Sequence, residues 1–363
     1  LPQALPLDPF LGDIRSLEIA PDGTIWLWTS EGLATSIEGV WMLHPQEDST
    51  LIGFDKAGRA WATFDKGQTI SSWDGKAWTS YGEESGWTST EVLRRAGPYS
   101  TVSEEIVIDG RGWTWLVTRQ DVRVFDGQSW SIYGPEDVGY TPTEDMIEQG
   151  FWYWLVDLAL DSTGDIWVTD CAWMGPGPVG QGARWFNGEE WQGQDSPVVA
   201  TGCVMDIEID DAGRIWAGVD GSLWRYTLGE GWTEFPHPDP NPEWGGRRWG
   251  WIASIDLAPQ GIPWVVMSPC GGASCDSGIF VLFRVKDGTW TEIAGQSWGG
   301  LAFDASGGAW FCNNEGLHHV MEETRELYPL PGEGFCSVKT DPFGRLWLTV
   351  SDQPSLWVYD AAD

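Results

Sequence analysis

Carboxylates and flat aromatic rings dominate the side chains of this chain that are able to do chemistry. Three acids share one spacing. Glu105, Asp157 and Asp206 each stand seven residues ahead of the glycine of a recurring Gly-x-x-Trp motif. Oxygen ligands repeated at one position on successive strands suit Ca²⁺, which takes several of them, so calcium is the cofactor this pattern points to. In so acidic a chain the same positions also read as solvated strand starts. Asp239-Pro-Asn241-Pro-Glu243 spaces its oxygens in a similar way, but its prolines and missing glycine exclude an EF-hand loop. Gly295-Gln-Ser297-Trp-Gly299 has the letters of a nucleophile elbow, which works only at a strained strand-to-helix turn. Here it falls between two strands. His318 and His319 are neighbours on one strand and face opposite sides, so they do not serve one metal. His237 is the one histidine in a long loop. With 54 acids in the chain, a carboxylate pair for glycoside chemistry stays open.

The aromatics concentrate in six insertions, at residues 82–104, 134–151, 170–183, 193–202, 236–250 and 268–278. In or beside them stand Trp87, Tyr99, Tyr140, Trp152, Trp154, Trp173, Trp244 and Trp249, together with Arg247. Flat apolar faces beside guanidinium and carboxylate groups suit a glycan, a peptide or another protein's surface. The competing reading is that the loops pack on one another.

The elements that must position these groups follow from the repeat. Gly-x-x-Trp occurs at Gly23/Trp26, Gly58/Trp61, Gly112/Trp115, Gly164/Trp167, Gly213/Trp216, Gly261/Trp264, Gly307/Trp310 and Gly344/Trp347. A period of this size with strand-like flanks signals a repeat architecture. Unit five is the clearest. Residues 205–209 alternate polar and apolar, Asp210-Asp-Ala-Gly213 turns, 214–219 form a second strand, Asp220-Gly221 turns, and 222–227 and 232–235 complete four strands. Four short antiparallel strands repeated end to end predict an all-β fold, a β-propeller of eight four-stranded blades, with seven as the alternative. Residues 1–363 then form a single domain. Unit eight reaches only three strands, so the segment 4–11 is expected to close the ring as its outermost strand, an edge position that tolerates Pro6 and Pro9. The repeated tryptophans are expected between blades, as core. Every long insertion joins a second strand to a third or a fourth to a first, which puts all of them on one side of the ring.

These repeats resemble the two-component regulator propeller repeat, a ligand-binding sensor propeller family. The residues that carry the likeness are Asp161–Trp167, Asp210–Trp216 and Asp341–Trp347, with Glu31-Gly-Leu33 and Phe125–Trp130. The resemblance implies a propeller that faces outward from the cell and senses ligands. A weaker similarity to streptogramin-lyase propellers implies a histidine and an acid at the channel mouth. The reading that unites these signs is a secreted or cell-surface recognition or assembly propeller that does no catalysis. Its alternative is a polysaccharide-acting hydrolase or lyase using carboxylates on the same side.

Charge narrows the partners. A formal net charge of −34 argues against nucleic acid and anionic membrane surfaces. No apolar run approaches membrane-spanning length, so direct membrane insertion is not expected. The six cysteines form no Cys-x-x-Cys, which disfavours zinc and thioredoxin-type chemistry. An even number in an acidic all-β chain suits an oxidising, extracellular or periplasmic setting, and a first residue Leu1 reads as a mature secreted chain. Position pairs the cysteines as Cys171–Cys203, Cys270–Cys275 and Cys312–Cys336. Thiol titration of the denatured, unreduced protein is therefore expected to find no free thiol; six reactive thiols would defeat the pairing.

Overall fold

The structure is a computed structural model that describes residues 3–7, 11–37, 39–44, 50–55, 58–64, 67–88, 106–118, 121–140, 152–174, 177–179, 182–193, 203–219, 221–237, 251–268, 280–295, 299–313, 315–322, 324–330, 336–350 and 355–360. In them the chain forms eight antiparallel sheets, each with four strands in order and one with a short fifth, which is the arrangement of an eight-bladed β-propeller. Among the described residues helix is confined to turns such as Pro135–Val138.

Blade 5 shows how the repeat folds. Its strands are Val204–Ile209, Ile215–Val219, Ser222–Thr227 and Gly231–Pro236. The first hairpin is closed by Asp210: its N–H donates to the Arg214 carbonyl and its carbonyl accepts from Gly213. The carboxylate then satisfies what the turn leaves over. Oδ1 accepts the N–H groups of Ala212 and Arg214, while Oδ2 accepts the Arg214 Nε–H and, at 3.0 Å, the indole N–H of Trp216. Gly213 has φ +74°, and a Cβ there would come within 2.4 Å of Ser162 Oγ in the preceding blade's turn. Only glycine meets both demands.

The Asp-to-indole bond recurs at Asp55/Trp61, Asp109/Trp115, Asp161/Trp167, Asp304/Trp310 and Asp341/Trp347. All eight motif tryptophans are buried, at 5% exposure or less. Burying one such ring stabilises by roughly 2–3 kcal/mol. Within each unit several are wedged toward the next blade. Trp26 meets Trp78 edge-on at 5.9 Å, Trp115 meets Trp191 at 6.4 Å, and Trp167 meets Trp232 at 6.1 Å, the geometry that aromatic quadrupoles favour.

Contacts divide the chain into two compact units. The first holds blades 7, 8, 1 and 2; the second holds blades 3 to 6. In the first unit, blade 8 has only three strands from its own repeat, Cys336–Thr340, Arg345–Val350 and Ser355–Asp360. The fourth is the N-terminal Gln3–Pro6, paired antiparallel to Ser355–Asp360 with Leu5 opposite Leu356. Leu5, Leu7 and the fully buried Leu11 join the cluster formed by Leu17, Leu27, Trp347 and Leu356, between blades 8 and 1. The N-terminal strand therefore completes the last blade, as the three-strand count of unit eight implied, and it spans Gln3–Pro6 rather than residues 4–11.

Deleting residues 1–12 removes that strand and its leucines. The transition in differential scanning calorimetry is expected to fall by about 5 °C or more, for a loss of several kcal/mol; an unchanged transition would mean that the pairing contributes nothing.

Candidate binding surface of the second unit

Connection lengths distinguish the two ends of each blade. In blades 3 to 6 the first and second strands are joined by residues 109–113, 161–165, 210–214 and 258–262. The third and fourth are joined by turns as short, residues 126–129, 187–190, 228–230 and 287–288. At the opposite end of the same blades run 134–151, 193–203 and 237–250 between blades, and 269–280 within blade 6. In antiparallel sheets these alternate, so within this unit the long connections share the strand ends opposite the Asp-x-x-Gly turns.

Blade 4 reaches furthest. Its first two strands, Trp152–Leu160 and Ile166–Met174, each run nine residues, and Gly177–Val179 pairs with the second. Trp152 is opposite Trp173, and Trp154 is opposite Cys171. This register puts positions 152, 154 and 173 on one face of the ribbon, the face of Cys171. Cys171 is buried and bonded to Cys203 at the start of blade 5. The ribbon is thus tied to its neighbour at its base.

Trp87 and Tyr140, expected on the ligand face, are interior residues. Trp87 is 1% exposed, and its indole N–H donates to the Gly67 carbonyl at 3.2 Å. Tyr140 is fully buried; its hydroxyl lies 3.2 Å from the Val168 carbonyl and 3.0 Å from that of Gly182, and the Arg184 guanidinium lies 4.9 Å from its ring. Burial, with the nearby Asp170 charge, pushes its hydroxyl well above the usual phenol range. Both rings anchor the ends of long connections rather than face solvent. Their sequence neighbourhood, loop-like and aromatic, gave no sign of this. Tyr99, Trp244, Arg247, Trp249 and Glu105 lie outside the described residues, as do Cys270 and Cys275.

Asp157 and Asp206 are not solvated strand starts. The innermost strands of blades 1, 2, 4, 5, 6 and 7 each carry a register shift near the same position. Such bulges turn backbone groups out of the ladder. The Ile207 N–H donates to Asp157 Oδ2 in the preceding blade at 2.9 Å, and the Ile255 N–H donates to Asp206 Oδ2 in the same way. Asp157 Oδ1 accepts from Leu158, and its own N–H donates to Thr169 Oγ1. The two acids stitch blade 4 to blade 5 and blade 5 to blade 6. Burial first, then the charge of Asp157 and a hydrogen bond with it, raises Asp206 well above the usual carboxylate range. Burial, followed by the charges of Asp256 and Asp157, pushes Glu208 up to about 8. Among the described residues no three His, Cys, Asp or Glu side chains are grouped as a metal site.

The histidines have structural partners. His319 Nε2 lies 2.9 Å from Asp304 Oδ2, and its ring stacks on Trp310 at 4.0 Å. It takes the place that an arginine fills in blades 2, 5 and 8, because Gly308 leaves that space open. His318 accepts the Arg325 Nε–H on Nδ1 and pairs Nε2 with Asn313 Oδ1 at 2.8 Å. Burial and then the Arg325 charge push it down to about 4. His237 packs on Phe283 and Trp290.

No protein-family model matches the chain, and no curated protein matches it. Solved structures do resemble it. YCF48 from Cyanidioschyzon merolae matches over 100% of this chain and 99% of its own, with 14% identity and a TM-score of 0.51. A catalytically inactive variant of virginiamycin B lyase from Staphylococcus aureus, solved with quinupristin, matches over 99% and 98%, with 13% identity and a TM-score of 0.46. The extracellular domain of BT4673 from B. thetaiotaomicron matches over 99% of this chain and 52% of its own, with 12% identity and a TM-score of 0.44. At such identities the likeness speaks for the fold alone. The disulfides Cys171–Cys203 and Cys312–Cys336 are both present and suit an oxidising compartment. Among the described residues no helix is long and apolar enough to cross a membrane.

Glu208 sets a pH dependence with a definite sign. It holds its proton to about pH 8 folded, against an ordinary value of 4.5. A raised acid stabilises the fold in full below its unfolded value and loses that contribution as pH rises toward its folded value. Melting temperature is expected to decline by roughly a few degrees between about pH 5 and pH 9, and Glu208→Gln to flatten that decline, as read by fluorescence melting across pH. A decline equally steep in the variant would remove Glu208 as its cause.

Proposed function

We propose that this chain is a recognition propeller that does no catalysis, works outside the cytoplasm, and binds a glycan, peptide or protein through the long connections of blades 3 to 6. The observation that carries this reading is the blade 4 ribbon. It brings positions Trp152, Trp154 and Trp173 onto one face at the strand ends where the insertions gather. Aromatic residues on a strand pair tied to the next blade would lose little freedom on binding, which is how aromatic hot spots gain affinity. Tyr99, Trp244, Arg247 and Trp249 belong to the neighbouring insertions and would extend the same surface. The two inter-blade disulfides support an extracellular or periplasmic setting.

A second reading, a polysaccharide-acting hydrolase or lyase, draws on Glu208. A carboxylic acid protonated to about pH 8 meets the condition for a general acid at neutral pH. Its neighbours bond backbone amides across blades, which favours a structural role for the cluster.

Glycan and peptide arrays probed with the intact chain, beside a reducing-sugar and unsaturated-product assay on the glycans bound, separate the two. The recognition reading expects binding without turnover, and loss of binding by at least about tenfold in Trp152→Ala/Trp154→Ala. Turnover abolished by Glu208→Gln would overturn it.

A further inference from the structure

The outermost strands of the blades occupy equivalent positions, so each can be judged against the others. In blades 2, 3, 5 and 6 the outermost strand contains a tryptophan, Trp78, Trp130, Trp232 and Trp290, followed by an exposed Thr79, Ser131, Thr233 or Thr291. Blade 1 departs from this. Its outermost strand, Val40–His44, has Met42 after Trp41 and Val40 before it, 43% and 69% exposed. Ile37 stands opposite Val40 across the hairpin and is 37% exposed, and Thr35 stands opposite Met42. The register therefore puts Ile37, Val40 and Met42 on one face. Among the described residues this strand pairs only with Gly32–Ile37, so its other backbone edge is open. Natural sheets blunt open edges with polar or charged side chains, because an apolar edge is a template for another strand. Four blades of this chain do so at the equivalent position, and blade 1 does not.

Charge selects the occupant. The chain has 54 acidic side chains against 20 lysines and arginines. A second copy would bring the same acids and a further net charge of −34, which opposes association. We propose that the edge of blade 1 is a second interaction surface, which takes an extended segment of another protein, alternating apolar and basic residues, as an added strand. Main-chain hydrogen bonds to the open edge would supply affinity. The partner's apolar side chains would cover Val40 and Met42, and its lysines or arginines would be drawn to so acidic a chain. None of the residues of the binding surface described above takes part, so the two proposals fail independently.

The test uses the full chain and a fluorescein-labelled decapeptide of alternating valine and lysine. Control peptides replace valine by serine, or lysine by glutamate. Val40→Thr/Met42→Thr gives blade 1 the edge chemistry of its neighbours and is expected to melt within about 1 °C of the parent. Fluorescence anisotropy should show the valine–lysine peptide bound at least about tenfold more tightly by the parent than by the variant, and more tightly than either control. Hydrogen exchange should slow at the Val40–His44 amides when it binds. Equal binding of the serine–lysine peptide, which marks attraction to charge alone, would overturn the proposal. So would equal binding by the variant without slowed exchange, or a dimer of the parent in sedimentation that the variant dissolves, which would make a second copy the occupant.

Discussion

An indole N–H buried between two sheets needs an acceptor that water cannot reach to supply. Left unpaired it costs about 1–3 kcal/mol, a sizeable part of what holds a whole domain together. In six blades the acceptor is the aspartate that also closes the first hairpin. One carboxylate therefore ends a turn, sets a buried core ring and, in blades 2, 3, 5 and 8, orients a guanidinium. Burial alone would raise Asp210 and Asp341, but the indole N–H, the arginine amide and the guanidinium outweigh it and hold both below the usual carboxylate range. The charge stays on because every lone pair has a donor. A turn motif and a core motif are thus one device.

The exceptions follow the same physics. Blades 1 and 6 have Ala20 and Ala258 where the aspartate stands elsewhere. In blade 1 the face of Trp26 is covered instead by His44, stacked at 5.4 Å and hemmed in by Trp73 and Trp78. The Trp78 indole donates to His44 Nδ1, and burial pushes that imidazole down to about 4. Blade 4 keeps its aspartate but has Asp165 in place of arginine, and burial beside Asp161 raises Asp165. Blade 7 substitutes His319. The adjacent histidines that first suggest metal or base chemistry serve packing on one side and a hydrogen-bond network on the other.

The fold was legible because the repeat writes it eight times. Period, turn residues and tryptophan spacing each point to four-stranded blades, and even the missing strand of blade 8 showed as a shortfall in the count. The pairings Cys171–Cys203 and Cys312–Cys336 were legible too, because each joins the end of a second strand to the start of the next blade's first. What sequence could not give was direction into or out of the interior at irregular positions. Tyr140 and Trp87 look like loop aromatics because they stand among turn residues, yet each finds a backbone carbonyl inside. Asp157 and Asp206 look like free acids at strand starts. Their role depends on a bulge, which alternation of residue types does not announce, and on an amide supplied by another blade.

That bulge explains why the insertions gather where they do. At the hairpin end of a blade the Asp-to-Trp device fixes the backbone so closely that a longer turn would break its bonds. At the opposite end nothing in the repeat dictates a length, provided that the strand ends are held by other means. In blades 4 to 6 they are held by carboxylates reaching across to bulge amides, and between blades 4 and 5 by a disulfide as well. The stitches have an electrostatic cost: burial, and then the charges of neighbouring acids, raise both Asp206 and Glu208 above the usual carboxylate range. In return they leave the connections free to vary in length and chemistry on a base that does not shift with them, the condition for a binding surface made of loops.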